Sequence, residues 1–178
     1  MRTKSLVVIV MSMLIVGMLV SACSSDSNEM DHSEMDHSIS GELPEGIQVA
    51  INPKYQIGSK AFMKTGHMKG MEGAEATIVG AFNTKVYAVS YTPVTGGDRV
   101  ENHKWIVHEE ITDFGADSFQ PGAEVMINTD HMTGMKGAKG VIDSVEETTV
   151  YMVDFILTNN GNIIQNHKWV TESELSSQ

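Results

Sequence analysis

The sequence predicts an all-β protein: two tandem small SH3-like β-barrel units related by internal duplication, placed after a signal peptide and a flexible tether. Three observations carry that expectation. Residues 58–110 align with residues 122–174 at a constant offset of 64 without a gap, and 19 of the 53 aligned positions are identical. The apolar residues of both copies fall in short runs rich in β-branched and aromatic side chains. Beyond the first 22 residues no stretch keeps a 3.6-residue apolar period.

The elements follow in chain order. Arg2 and Lys4 form a positive head, Leu6 to Val20 is an almost unbroken apolar run, and Val20-Ser21-Ala22 precedes Cys23. A charged head, a short apolar core and a small-residue cleavage site mark residues 1–22 as a secretory signal. The run is about 15 residues, short of the ~20 that a membrane-spanning helix needs. Val20 to Cys23 also resembles the lipobox of bacterial lipoproteins, whose cysteine becomes the acylated first residue. The expected location is the extracytoplasmic face of the cell membrane, with the protein held there by its N-terminal lipid. Cys23 is the sole cysteine, so acylation leaves no disulfide, thiolate ligand or cysteine nucleophile. The formal net charge is -11, which becomes -13 once Arg2 and Lys4 are removed. Such a chain repels phosphate backbones, so no nucleic-acid partner is expected.

Residues 23–46 are dominated by Ser, Asp, Glu, His and Met, and read as a flexible tether. Within it lies a small repeat, Met30-Asp31-His32-Ser33-Glu34-Met35-Asp36-His37-Ser38. Residues 47–110 and 111–178 then form the two β units. At about 60 residues each they stand at the small end of what folds alone, so they are expected to pack against each other. In the first unit the expected strands are 76–80, 86–91 and 105–107. In the second they are 125–127, 141–142, 149–156 and 169–170. Gly96-Gly97-Asp98 and Asn159-Asn160-Gly161-Asn162 read as hairpin turns, because those residues tolerate positive φ.

Methionine placement points to chemistry. Nine methionines remain beyond the signal, and six sit in His-Met motifs: Met30, Met35, Met68, Met71, Met132 and Met135. Thioether sulfur is a soft neutral ligand suited to Cu(I), and by the same softness to Ag(I); imidazole binds copper in either oxidation state. Zinc sites favour Cys, His, Asp and Glu, and calcium needs clustered oxygens with a defined loop spacing, so neither fits as well. The candidate metal ligands are Met30, His32, Met35 and His37 in the tether, and His67, Met68, Met71 and His103 in the first unit. His131, Met132, Met135 and His167 are their counterparts in the second.

A structural reading of the folded motifs stands beside this one. Met71 and Met135 would fill cores, the glycines would serve tight turns, and strand alternation would send His67 and Met68 to opposite faces. His103 and His167 would fix the last strand. Trp105 and Trp169 read as core aromatics, with a cation-capping role as the alternative. His108 has no counterpart, since Glu172 stands at the equivalent position, and is expected at the surface. Glu109-Glu110 and Glu146-Glu147 are expected on solvated strand edges. No nucleophile–base arrangement, phosphate-binding loop or His-Glu-x-x-His occurs, so neither an enzyme nor an organic cofactor is expected.

The lipobox, the Met-Asp-His tether and the duplicated His-Met-x-Gly-Met-x-Gly-Ala … Asn-His-Lys-Trp units resemble the YdhK family of Gram-positive lipoproteins, over residues 47–174. The second unit departs from the first at Asp130, where Gly66 stands, and at Thr133, where Lys69 stands; neither change removes a candidate ligand. That family includes a copper-resistance lipoprotein, so the resemblance implies surface binding of Cu(I) that limits copper toxicity. The expected partners are copper ions and, through the lipid, the membrane. Two rival functions stay open. One is a cell-envelope module that binds wall polymer or a partner protein; the other is a chaperone that hands Cu(I) to an unidentified copper-transfer protein.

Overall fold

The computed structural model describes residues 40–177. The signal peptide, Cys23 and the tether positions Met30, His32, Met35 and His37 lie outside the described residues. The described chain is all-β: strands β1 (Gln48–Val49), β2 (Lys60–Met63), β3 (Glu75–Tyr91), β4 (Val100–Val107), β5 (Glu124–Met126), β6 (Lys139–Ile156), β7 (Ile163–Thr171) and β8 (Leu175–Ser176). Two one-turn 3-10 helices, His108–Glu110 and Glu172–Glu174, interrupt them. The Gly- and Asn-rich segments expected as hairpin turns join β3 to β4 and β6 to β7.

The central strands are longer than their apolar runs suggest. The expected strands 76–80 and 86–91 are one 17-residue strand, β3. The expected strands 141–142 and 149–156 are likewise one 18-residue strand, β6. No Gly or Pro breaks the intervening segments, and each is held by the other: β3 and β6 pair antiparallel from Ala76↔Phe155 to Tyr91↔Gly140. Adding the repeat offset turns Ala76 into Gly140 and Tyr91 into Phe155, so this ladder maps onto itself. At its middle Thr84 pairs with Thr148, its own equivalent. The duplication is therefore expressed as an internal two-fold axis through the ladder, the arrangement of a symmetric dimer fused into one chain.

The remaining strands line the outer edges of this pair. β2, β1 and β4 pair with β3, and β5 and β7 pair with β6. Beyond β7 the chain turns through Glu172–Glu174 into β8, which meets β2 at Phe62↔Ser176 and Met63↔Leu175. Its symmetry mate is a single bridge, Ile111↔Ile127. The sheet curls, but the expected barrels do not close. The long central strands are shared by both halves, and the return contacts are only one or two residues wide.

Core composition follows from the same sharing. One core joins Met63, Met71 and Ile78 of the first repeat to Tyr151, Phe155 and Leu175 of the second. Another joins Tyr87, Tyr91 and Ile106 to Ile127, Met135 and Ile142. A third, between them, holds Phe82, Val86 and Trp105 against Val150, Met152 and Trp169. Each buried side chain of this size contributes about 1.5–3 kcal/mol, and in every core both repeats supply the residues. Neither copy carries a complete core.

The His-Met loops are tied down across the repeats as well. Gly70 and Gly134 adopt left-handed φ of 83° and 79°, where a Cβ is disfavoured. Their carbonyls accept N–H groups from Thr158 (2.8 Å) and Val94 (2.9 Å), each in the opposite repeat's hairpin. A Cβ on Gly70 would strike Asn159, and one on Gly134 would strike Thr95. Glycine there permits both the turn and the close approach.

Candidate metal site

The Asn-His-Lys-Trp motifs lie in β4 and β7. Asn102 and Asn166 have φ of 51° and 52°, a left-handed conformation that asparagine tolerates better than most residues. Their backbone N–H groups donate to Ser90 Oγ (3.0 Å) and Asp154 Oδ1 (2.7 Å), which occupy equivalent positions in the repeats. Both ladders shift register beside these residues. The last residues assigned to the tether run against the second motif, with Lys168 Nζ donating to the Glu42 carbonyl at 2.7 Å.

His67 and Met68 lie in the loop between β2 and β3 rather than in a strand, so strand alternation does not apply to them. The His67 Nε2 lies 2.7 Å from Oε1 of Glu174. The other oxygen of Glu174 accepts the Trp105 indole N–H at 2.9 Å and the Thr171 N–H at 2.9 Å. The second repeat reproduces this arrangement. His131 Nε2 lies 2.7 Å from Glu110 Oε1, while Oε2 accepts from Trp169 Nε1 (3.0 Å) and Val107 N–H (3.0 Å). Thr129 Oγ1 also donates to Glu110 Oε1 at 3.0 Å. Each histidine and tryptophan thus meets a carboxylate from the opposite repeat.

Burial on its own would raise both carboxyl pKa values. For Glu174 the hydrogen bond and charge of His67, helped by the Thr171 N–H and the Trp105 indole, outweigh burial and hold the value down at about 2. For Glu110 burial is again the largest influence, and His131, the Val107 N–H and the Trp169 indole outweigh it, so the value falls below 4.5. An ionised carboxylate facing Nε2 favours a proton on that nitrogen, so whenever the ring is uncharged its lone pair stands on Nδ1. The Nδ1 atoms of His67 and His131 are buried and have no hydrogen-bond partner. A carboxylate on one imidazole nitrogen and an open lone pair on the other is how metal-binding histidines are usually oriented.

The remaining motif residues sort into two groups. His67, Met68, His103, His131, Met132 and His167 all line one cavity of about 590 Å³. Within it the His67 and His167 rings lie 6.4 Å apart by centroid, and the His103 and His131 rings 6.5 Å apart. Met71 and Met135 are 0% exposed, in two separate cores. The Met71 Sδ accepts the His67 backbone N–H at 3.5 Å. Trp105 and Trp169 are buried in the middle core while their indole N–H groups serve the carboxylates. Among the described residues no three His, Cys, Asp or Glu side chains gather into a group that could hold a metal ion. The motif side chains on the cavity offer imidazole and thioether donors, and the carboxylates of Glu101, Glu146 and Glu174 line it as well.

Two expectations need correction. His108 is buried, not superficial: its Nδ1 lies 2.9 Å from Tyr87 Oη and its Nε2 2.7 Å from the Gly115 carbonyl. The 3-10 turn tucks it inward to satisfy the tyrosine, and in the second repeat Glu172 does this for Tyr151 Oη at 3.2 Å. Glu109 and Glu110 are not a solvated strand edge either, because the same turn sets Glu109 against the Thr84 hydroxyl and buries Glu110 to 3% exposure. Glu110 and Glu174 are the site residues that sequence reasoning missed. The signal was present, for they are the last identical pair in the repeat alignment.

The model of a family described as a protein of unknown function, DUF1541, matches twice, over residues 57–108 and 121–172. The uncharacterised protein YdhK of Bacillus subtilis is 55% identical over 139 residues, which is 78% of this chain and 68% of YdhK. A crystal structure of the B. subtilis DUF1541 protein YdhK superimposes with a TM-score of 0.79 at 56% identity, covering 83% of this chain and all of the other. A solution structure of the YdhK C-terminal domain gives 0.66 at 55% identity, over 69% of this chain and 93% of that one. With both repeats matched by the family model, and a relative of this identity over most of both lengths, the chain belongs to the DUF1541 family, that of YdhK.

Proposed function

We propose that this protein is a membrane-anchored extracytoplasmic lipoprotein that binds and sequesters Cu(I), contributing to copper tolerance. One observation carries the reading. Two imidazoles, the half-buried His67 and the buried His131, each have Nε2 fixed by a carboxylate and a buried Nδ1 without a hydrogen-bond partner, on a cavity they share with Met68 and Met132. Imidazole plus thioether is a soft neutral donor set that favours Cu(I), with Ag(I) as its analogue. The likeness to CopL, the copper-resistance lipoprotein of the family, belongs to this proposal, as do the lipid on Cys23, the tether ligands Met30, His32, Met35 and His37, and the absence of a catalytic role.

Competition with a chelator under anaerobic conditions tests the metal. Cu(I) and Ag(I) are expected to bind far more tightly than Zn²⁺, and zinc binding of equal strength would sink the reading. The anchor has its own test: the wild-type chain should partition with membranes, whereas Cys23→Ala should accumulate unprocessed or unlipidated. Normal-sized membrane-bound protein from that variant would rule out lipidation at Cys23.

The volume of the cavity, about 590 Å³, favours a second reading. It falls within the ~300–1,000 Å³ typical of small-molecule sites, which suits an envelope module binding wall polymer or a partner protein. Retention on purified cell wall, unchanged by copper chelation, would favour that alternative.

A further inference from the structure

We infer that each copper site is composite, with one ion held by His67 and Met68 of the first repeat together with His167 of the second. A symmetry-related ion is held by His131 and Met132 together with His103. The inference rests on the copper reading above and adds to it the composition of the sites and a stoichiometry of two ions per chain.

The geometry pairs the imidazoles across the repeats. His67 stands 6.4 Å from His167, and His131 stands 6.5 Å from His103, as the two-fold requires. Two rings sharing one ion at a metal–nitrogen distance of about 2.0–2.1 Å place their centroids roughly 5–6.5 Å apart, the upper end corresponding to near-linear coordination. Cu(I) accepts low coordination numbers and soft donors, so two imidazoles and a neighbouring thioether are enough. Met68 and Met132 lie next in sequence to His67 and His131 and line the same cavity. The supporting carboxylates cross over too, since Glu174 orients His67 and Glu110 orients His131. Neither repeat contains a whole site, just as neither contains a whole core. Bound copper would therefore bridge the halves of the molecule.

The test uses the full chain in detergent micelles, with Met30→Ser, His32→Ser, Met35→Ser and His37→Ser removing the tether ligands. This parent should take up two equivalents of Cu(I). A parent that takes up no Cu(I) overturns this inference, and the copper reading falls with it only if the wild-type chain, tether ligands intact, takes up none either. Against a parent that binds, two double variants discriminate. Composite sites predict that His67→Ala with His167→Ala removes one equivalent, while His67→Ala with His103→Ala removes both. Sites built within single repeats predict the reverse, and that result overturns the inference alone. Should a double variant fail to fold, ¹H–¹⁰⁹Ag correlation spectra of the silver-loaded parent decide the matter without those substitutions. His67 and His167 should couple to one silver resonance, and His103 and His131 to the other; coupling of His67 and His103 to the same silver would refute it.

Discussion

Replacing Glu110 or Glu174 with alanine is expected to destabilise the protein by about 3–5 kcal/mol, the usual cost of removing one partner from a buried ionic pair. For a chain of this size each kcal/mol lowers Tm by roughly 2–4 °C, so a loss near 10 °C is well within reach of a thermal melt. The size of the effect comes from what the carboxylate holds together. Glu110 gathers His131, Trp169, Thr129 and the Val107 N–H, and its loss strands several buried donors at once. Glu174 performs the equivalent task for His67, Trp105 and Thr171. Glutamine should cost less than alanine, because it keeps an acceptor oxygen while losing the charge. An alanine variant that melts within a degree or two of wild type would show that these carboxylates do not organise the interface.

The same groups set the acid limit. Glu174 is held at about 2, below the ordinary 4.5 of a free carboxyl. A group whose folded pKa is depressed contributes stability that is complete above the unfolded value and is lost as pH falls through the folded one. Its contribution should therefore be constant above about pH 4.5 and fade between there and about pH 2. Glu110 is depressed as well, so it acts in the same direction. Glu174→Gln should flatten stability against pH across that interval.

The part of this organisation that was legible in the sequence is the local part. A constant offset of 64 reveals two copies of one unit, and β-branched runs between Gly and Asn turns reveal strands. The offset does not say which strand meets which. That Thr84 pairs with Thr148 is a long-range fact, and it converts two adjacent units into halves that share their cores. Strand ends escape the apolar pattern for a related reason. Polar stretches such as Glu146-Glu147 interrupt an apolar run without breaking the backbone, and pairing with Lys85 and Val86 carries β6 straight through them. Type and repetition mark the histidines and methionines, but their roles depend on depth. His67 and Met68 form part of a loop on the cavity, while Met71, three residues on from Met68, lies in a core.

That separation leads to the sharpest expectation for the methionines. Met68→Leu combined with Met132→Leu should weaken Cu(I) binding by more than the ~10–100-fold that loss of an outer-shell partner typically costs, since a ligand itself would be gone. Met71→Leu combined with Met135→Leu should leave copper affinity nearly unchanged. Both pairs of substitutions roughly conserve volume, and swaps of that kind usually cost under about 1.5 kcal/mol even in cores. Folding therefore does not distinguish the two variants, and copper does. The buried pair should show what small stability loss there is, because Met71 gives up a weak contact to the His67 N–H as well as its packing. Chelator competition on the chain without tether ligands measures both affinities. If the buried pair proved necessary and the cavity pair dispensable, the ion would have to lie within the cores, and the cavity would lose its claim to the metal.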